Sequence, residues 1–151
     1  MHRLLLLLIL VTLTSGSFGQ QTQDSVKAAV NKLFVAMKQA DSATLVSSFT
    51  DSAILQTIAK NKDGKVIIRN ETVGDFAHMI ATIEKDAADE RIVFESIKID
   101  ADLASVWTPY NFYFKGKFSH CGVNSFQLVR VDNIWKINYL IDTRRKQGCA
   151  E

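Results

Sequence analysis

Residues 90–145 read ERIVFESIKIDADLASVWTPYNFYFKGKFSHCGVNSFQLVRVDNIWKINYLIDTRR, and the fold class is predicted mainly from these residues. It is rich in β-branched and aromatic residues, and short polar turns divide it into four strands, 91–99, 103–114, 118–131 and 134–144. The chain before it carries helical patterns and one short hairpin around Asp63-Gly64. Helices followed by a block of long strands predict an α+β domain, in which a curved antiparallel sheet wraps around a helix. Such a sheet encloses a pocket, which predicts a small-molecule ligand.

Three helices are predicted before that stretch. The first begins at Asp24, a residue type that caps the free N–H groups of a helix N-terminus. The second is short, begins at Asp41 and ends near residues 50–51. The third follows Thr72, which forms a variant of the capping box with Asp75. The inward-facing apolar residues, spaced three and four apart, are Val26, Val30, Leu33, Phe34 and Met37 in the first helix, Leu45 and Phe49 in the second, and Phe76, Met79, Ile80 and Ile83 in the third.

The turn Asp132-Asn133 sets the predicted register of the last two strands. A two-residue hairpin loop there places Val131 opposite Ile134, and side chains then alternate between the two faces of the sheet. The concave face predicted in this way carries Asn124, Phe126, Leu128, Ile137 and Tyr139. The same register puts Asp142 on the outer face.

The N-terminus has the layout of a secretory signal peptide, residues 1–19. Arg3 precedes the apolar run Leu4–Leu13, and small residues follow up to a predicted cleavage after Gly19. An apolar run of about ten residues is too short to span a bilayer, although an N-terminal membrane anchor is the alternative. We therefore expect a single domain, residues 20–151, that is secreted or periplasmic and keeps no stable membrane anchor after cleavage.

The charges and cysteines indicate which kinds of partner and cofactor the protein can have. The chain's 18 Lys and Arg residues nearly balance 16 Asp and Glu residues, so no nucleic-acid partner is expected. In an exported protein, the pair Cys121 and Cys149 favours a disulfide, with two buried free thiols as the alternative. His120 and Cys121 are adjacent in a strand and point to opposite faces, so no metal site is predicted. No nucleotide, zinc or hydrolase motif is present, and no cofactor is expected.

The order of the elements, the segment Ser47–Ala53 and the triplet Trp135-Lys136-Ile137 resemble the nuclear transport factor 2-like (NTF2-like) superfamily, also called SnoaL-like. More narrowly, the sequence is similar to exported bacterial members named for lumazine binding. The resemblance covers residues 24–144 and implies a cone, in which a curved antiparallel sheet wraps around a long N-terminal helix with two further helices. It also implies a homodimer formed through the outer sheet face. The superfamily includes isomerases, dehydratases, cyclases and members without known chemistry, so the fold does not fix the reaction.

Aromatic side chains in the last three strands predict the ligand site. We expect Trp107, Tyr110, Phe126 and Tyr139 as walls, with Asn124 and His120 as polar anchors for a partly apolar ligand. The alternative is a cofactor-independent acid/base enzyme of the isomerase, dehydratase or cyclase type, with His120 or Tyr110 as the catalytic residue.

Carboxylates decide between the two functions. Asp100, Asp102 and Asp132 fall in predicted turns, and Asp142 falls on the outer face. Only Glu71, ahead of the third helix, could reach the mouth of the pocket. Because no Asp/Glu pair is predicted inside, binding without catalysis is the favoured function.

Overall fold

The computed structural model describes residues 16–149 and the side chains of residues 22–149. The helices are α1 (Gly16–Gln39), α2 (Ser42–Ser47) and α3 (Val73–Ala81). The strands are β1 (Phe49–Lys60), β2 (Val66–Glu71), β3 (Ala88–Ile92), β4 (Ser96–Asp100), β5 (Leu103–Phe114), β6 (Lys117–Val131) and β7 (Ile134–Arg145). Between residues 16 and 149, no helix is long and apolar enough to cross a membrane. The signal-peptide prediction falls largely on residues 1–15, which lie outside the described residues, so it stays a prediction.

Helices α2 and α3 begin at their predicted caps, whereas α1 already begins at Gly16, so Asp24 lies inside that helix and is not its N-cap. The Asp41 side chain caps α2 by accepting a 2.9 Å hydrogen bond from the Thr44 N–H, and Thr72 caps α3 by accepting one of 3.0 Å from the Asp75 N–H. Helix α2 ends at Ser47, earlier than predicted, because β1 already begins at Phe49. The buried apolar residues that α1 brings to the core are Val26, Val30, Leu33, Phe34 and Met37.

The sheet of the described chain contains seven strands in the order β2-β1-β7-β6-β5-β3, with β4 also paired to β5. We call the face that meets α1 and α3 the inner face, and the opposite face the outer face. These strands pair antiparallel except β1 with β7, which are parallel, so the prediction of an antiparallel sheet is corrected to a curved mixed sheet. Strand β1 of the first hairpin pairs with the free side of β7 and runs parallel to it, a long-range pairing that no turn specifies.

The predicted strand 91–99 is two strands. Residues 93–95 face residues 108–109, so β3 and β4 pair with β5 on either side of one extra residue. Pro109 cannot donate to the ladder, and its carbonyl instead accepts a 2.9 Å hydrogen bond from the Val93 N–H. The break therefore lies beside the proline.

The register of β6 and β7 matches the prediction near the turn and departs from it further on. Asp132 and Asn133 both have positive φ, as a two-residue hairpin turn requires, and Leu128 lies opposite Ile137 as expected. The next pair is Gln127 with Tyr139, so Asn138 is an extra residue, a β-bulge.

The bulge at Asn138 inverts the facing of every later residue of β7. Asn124 lies opposite Asp142, not Ile141, and Phe126 lies opposite Leu140, not Tyr139. The predicted register beyond Leu128 is therefore wrong. Neighbouring β1 is irregular at the same place, where Thr50 donates a 2.8 Å hydrogen bond to the Asn138 side chain. Asn138 is thus held by a strand distant in sequence.

The C-terminal tail is joined to the sheet by a disulfide. Cys121 on β6 is bonded to Cys149, which confirms that prediction, and Arg145 donates a 3.1 Å hydrogen bond to the Gly148 carbonyl within the tail. The alternative of two free thiols does not hold. The bond fixes the end of β7, whose side chains reach the site described below.

Candidate functional site

A cavity of about 260 Å³ lies between the inner face of the sheet and helices α1 and α3. Its apolar lining comes from α1, α3 and the strands and includes Leu33, Phe34, Met37, Leu55, Phe76, Met79, Ile80, Ile83, Ala88, Phe112, Phe114 and Leu140. Its polar lining comes from the strands and includes Glu71, Glu90, Tyr110, His120, Asn124, Asp142 and Arg144. An apolar chamber with a few convergent polar groups is the usual composition of a small-molecule site.

Glu90 on β3 is the carboxyl most altered by its surroundings. Its Oε1 accepts a 2.7 Å hydrogen bond from the Asn124 side-chain amide. Burial raises the pKa of Glu90 to about 7, and the negative charge of Asp142 adds to this effect, while the Asn124 hydrogen bond and Arg144 oppose it. Near neutral pH the Glu90 carboxyl can therefore either give or take a proton.

Asp142 on β7 is buried and is held by two hydrogen-bond donors. Its Oδ2 accepts hydrogen bonds from the Tyr110 hydroxyl at 3.1 Å and from Arg144 Nε at 2.9 Å. Arg144 also donates from Nη2 to the Thr57 hydroxyl at 3.2 Å. The ion pair with Arg144 compensates the buried Asp142 carboxylate. The cavity therefore contains one carboxyl that is paired with a guanidinium and a second, that of Glu90, whose pKa is raised to about 7.

The Tyr110 hydroxyl is engaged by the protein. It lies 2.9 Å from the Thr143 carbonyl as well as 3.1 Å from Asp142 Oδ2, and its single proton serves these two acceptors. Burial raises the pKa of Tyr110, and the Asp142 charge raises it further. Tyr110 therefore stays protonated and positions Asp142.

Gly122 makes this arrangement possible. It lies opposite Tyr110 on the neighbouring strand. A Cβ atom at Gly122 would overlap the Thr143 carbonyl and would stand 2.8 Å from Cε1 of the Tyr110 ring. Only glycine allows β7 and the tyrosine ring to approach this closely.

His120 stands between aromatic rings at the side of the cavity. Its ring centroid is 5.0 Å from that of Phe112 and 5.8 Å from that of Tyr110, and Nδ1 lies 3.1 Å from the Ser119 hydroxyl. Burial lowers the pKa of His120, and the positive charge of Arg144 lowers it further. A neutral imidazole is therefore the main form at neutral pH.

Glu71, at the end of β2, stands at the rim of the cavity. Burial raises its pKa, and the positive charge of Arg144 opposes the rise. Because the residue is exposed, its carboxylate is also within reach of a molecule outside the cavity.

The structure brings three of the predicted site residues together at the cavity and places three elsewhere. Tyr110, His120 and Asn124 line the cavity. Phe126 faces inward but is fully buried in the core, with its ring centroid 6.1 Å from that of Phe34. Phe126 thus packs against Phe34, which lines the cavity, and does not itself belong to the lining.

Trp107 and Tyr139 lie on the outer face, which corrects their expected positions as pocket walls. Trp107 falls between the inward-facing Val106 and Thr108 on β5 and is 45% exposed. Tyr139 is turned outward by the bulge at Asn138, and its hydroxyl donates a 2.6 Å hydrogen bond to Gln56 Oε1. Neither side chain belongs to the cavity lining.

Sequence reasoning missed Glu90, Asp142 and Arg144. Alternation along β3 could have found Glu90, since Ala88 and Glu90 share the inner face. Asp142 and Arg144 carry no such signal, because their inward facing depends on the bulge. No grouping of three His, Cys, Asp or Glu side chains suited to a metal ion occurs within residues 16–149.

Comparisons with known proteins add information on the fold. No protein-family model and no curated protein matches the sequence. An NTF2-like protein of unknown function from Shewanella baltica OS155 matches with a TM-score of 0.68 at 16% identity, over 85% of this chain and 97% of that chain. A similar protein of unknown function from Silicibacter pomeroyi DSS-3 matches with a TM-score of 0.67 at 15% identity, over 84% of this chain and 98% of that one.

A third structure, described as a proposed dehydratase of the NTF2-like family from Streptomyces avermitilis, matches with a TM-score of 0.62 at 16% identity. It is covered over 98% of its length by 84% of this chain. The described chain therefore has the NTF2-like fold, an α+β domain with a curved mixed sheet and three helices. Likeness at such identities shows the fold alone and leaves the function to be argued from the site.

Proposed function

We propose that the protein binds a small, largely apolar molecule in the cavity, with a polar group of that molecule at Glu90 and Asn124. The observation that supports this most directly is the composition of the chamber, which is apolar along the helices and hydrogen-bonding at one end. Asn124 occupies Oε1 of Glu90, and among the described residues Oε2 has no hydrogen-bond partner. A ligand hydroxyl, amide or carbonyl could pair with Oε2, according to the protonation state of Glu90.

The charges of the lining favour a neutral ligand over an anionic one. Glu71, Glu90 and Asp142 face the cavity. The guanidinium of the described lining belongs to Arg144 and is already paired with Asp142. An added carboxylate would meet like charges in a poorly hydrated space. Flat, neutral heteroaromatic molecules of the lumazine type, which the sequence resemblance suggests, satisfy both the apolar walls and the polar end.

A ligand screen by thermal shift tests the proposal, using neutral heteroaromatic, neutral aliphatic and anionic sets. We expect neutral ligands to raise the melting temperature of the wild type and to lose most of that effect in Glu90→Gln. Glu95→Gln is the matched control, because Glu95 is exposed and lies just beyond β3. Equal stabilisation of both variants, or none by any set, would contradict binding at Glu90.

Proton transfer is a second candidate function, and the pKa of Glu90 near 7 is the observation that favours it. A carboxyl with that pKa can take a proton from a carbon beside a carbonyl or assist loss of water from a neighbouring carbon. Asn124 would hold Glu90 in place, and neutral His120 could donate a hydrogen bond to developing negative charge.

Deuterium exchange measured by NMR separates catalysis from binding. Any ligand found in the screen with a proton beside a carbonyl should exchange that proton in D₂O faster with the protein, and faster as pH rises through about 7. Glu90→Gln should abolish the exchange. Tight binding with no exchange above the buffer rate would leave binding as the function and dismiss catalysis.

We also propose that the protein is exported. The predicted signal peptide supports this location, and the disulfide between Cys121 and Cys149 is compatible with an oxidising compartment. Mass spectrometry of the protein recovered from periplasm or medium should find an N-terminus at Gln20. Intact Met1 in the cytoplasmic fraction would contradict export.

A further inference from the structure

Strand β2 is an open edge of the sheet. It pairs with β1 on one side, and no described residue pairs with its other side. All its residues are exposed except Ile67, and Val66 and Ile68 are 67% and 58% exposed. The pairing with β1 runs without a register shift from Val66 to Glu71, and β2 contains no proline. Exposed edges without a proline or a bulge are templates for adding another strand.

The hydrogen bonds of the turn show which backbone groups of β2 are unpaired. The Asn61 N–H donates to the Lys65 carbonyl at 2.9 Å, so residue 65 directs its backbone toward β1. In an antiparallel pair this direction alternates along the strand. The backbone groups of Ile67, Arg69 and Glu71 therefore also face β1. The backbone groups of the alternate residues 66, 68 and 70 face away, with three N–H donors and three carbonyl acceptors.

A second copy of the chain is the occupant that complements this edge. In antiparallel self-pairing, the outward residues of one copy must meet outward residues of the other. With Ile68 opposite Ile68, Val66 of each copy meets Asn70 of the other, and all six outward groups of each edge are paired. The side chains between them then place Lys65 of each copy opposite Glu71 of the other.

Charge selects this register over its neighbours. A shift of two residues in one direction places Arg69 opposite Arg69, and a shift in the other direction places Lys65 opposite Arg69. Like charges directly opposite each other destabilise a strand pair, whereas opposite charges stabilise it. Among these three registers, the one centred on Ile68 has two opposite-charge pairs and no like-charge pair.

We propose that the protein forms a symmetric dimer by antiparallel pairing of β2 with β2 of a second copy, centred on Ile68, with reciprocal Lys65–Glu71 ion pairs. Because Glu71 lines the rim of the cavity, Lys65 of the second copy stands at the mouth of the first copy's cavity. Each ligand site is thereby completed by the other subunit. This surface is different from the outer sheet face, where the family resemblance places a dimer interface.

Charge reversal in the full chain tests the pairing. Analytical ultracentrifugation should find the wild type as a dimer, and Lys65→Glu and Glu71→Lys should each weaken dimerisation by roughly tenfold or more, because both ion pairs become repulsive. An equimolar mixture of the two variants should form a heterodimer, since one chain is then acidic at both positions 65 and 71 and the other is basic at both. The matched control is Lys62→Glu, which makes the same charge change in the turn and should leave the dimer intact.

Hydrogen exchange locates the interface independently of charge. The amides of Val66, Ile68 and Asn70 should become protected as protein concentration rises, whereas those of Ile67 and Arg69 should be protected at all concentrations by their bonds to β1. A wild type that stays monomeric throughout the concentration range overturns the proposal. So does a dimer that persists in Lys65→Glu with protection on β5 and β6 at the outer face, or a mixture of variants that does not associate.

Discussion

The strand register at the two ends of the β6–β7 hairpin is determined by different interactions. Near the turn, Asp132 and Asn133 adopt positive φ and set a regular register down to Leu128 opposite Ile137. Beyond Asn138 the register shifts by one residue, and the polar residue Asp142 faces the cavity. The turn end is governed by local sequence, whereas the far end is governed by contacts with β1. The local half is part of the core, and the non-local half builds the candidate site.

Inserting one alanine directly after Asn138 changes the register of the far end most severely. With the inserted residue paired opposite Gln127, every later residue of β7 moves on by one position, which directs Tyr139 inward and Asp142 outward. We expect a loss of more than about 4 kcal/mol in the free energy of unfolding, because the side chains of β7 after the bulge would point to the wrong face of the sheet. Asn138→Ala is the control, because it keeps the residue count and loses only the Thr50 hydrogen bond, at about 1 kcal/mol. Denaturant unfolding curves that coincide for the two variants would contradict the role of the bulge.

Removing the disulfide frees the tail after β7 from its covalent bond to β6. Cys149→Ser should lower the free energy of unfolding by about 3 kcal/mol, because the unfolded chain is no longer cross-linked. Wild type measured in a reducing buffer should show the same loss. If reduction weakens the wild type while leaving Cys149→Ser unchanged, the loss belongs to the disulfide and not to the serine.

Gly122→Ala tests how closely the strands must approach at the far end. The added methyl group meets the Thr143 carbonyl and the Tyr110 ring, so we expect a cost of about 2 kcal/mol and a displaced Asp142. Gly74→Ala is the control, because its Cβ would meet only the Thr72 hydroxyl at 3.7 Å. Thermal unfolding of both variants gives the comparison, and an equal response would show that β7 has room to move.

Much of the fold is predictable from local sequence. The caps Asp41 and Thr72, the apolar stripe of α1 and the turn Asp132-Asn133 are each specified within a few residues, and the structure contains all of them. The disulfide follows from having two cysteines in a chain with a predicted export signal. These features do not depend on which elements meet in space.

The site is less predictable, because it depends on pairings between distant segments. The bulge at Asn138 occurs where β7 pairs in parallel with β1, and no sequence motif in either strand predicts the pairing or the bulge. The expectation that carboxylates are absent from the pocket is wrong for this reason. Glu90 is different, since it lies one residue before the predicted start of its strand at Arg91, whereas β3 begins at Ala88.

The smallest expected effect is the pH dependence of stability, which concerns Glu90 in the cavity that the far end of β7 lines. The pKa of Glu90 is raised in the folded state, so its protonated form stabilises the fold fully below about pH 4.5, and this contribution is lost as pH rises through about 7. The stability of wild type should therefore fall relative to Glu90→Gln across this range, by about 1–2 kcal/mol after allowance for partial exposure to solvent. Denaturant unfolding at a series of pH values measures the difference. A constant difference would show that Glu90 titrates normally.

The most direct test of the site is a carbon-13 NMR titration of the Glu90 side-chain carboxyl in the folded wild type. The bulged register brings Asp142 into the cavity beside Glu90, and a midpoint near pH 7 is expected, with a lower midpoint in Asp142→Asn. A midpoint near 4.5 that is unmoved by Asp142→Asn would mean that the two carboxyls do not share this cavity.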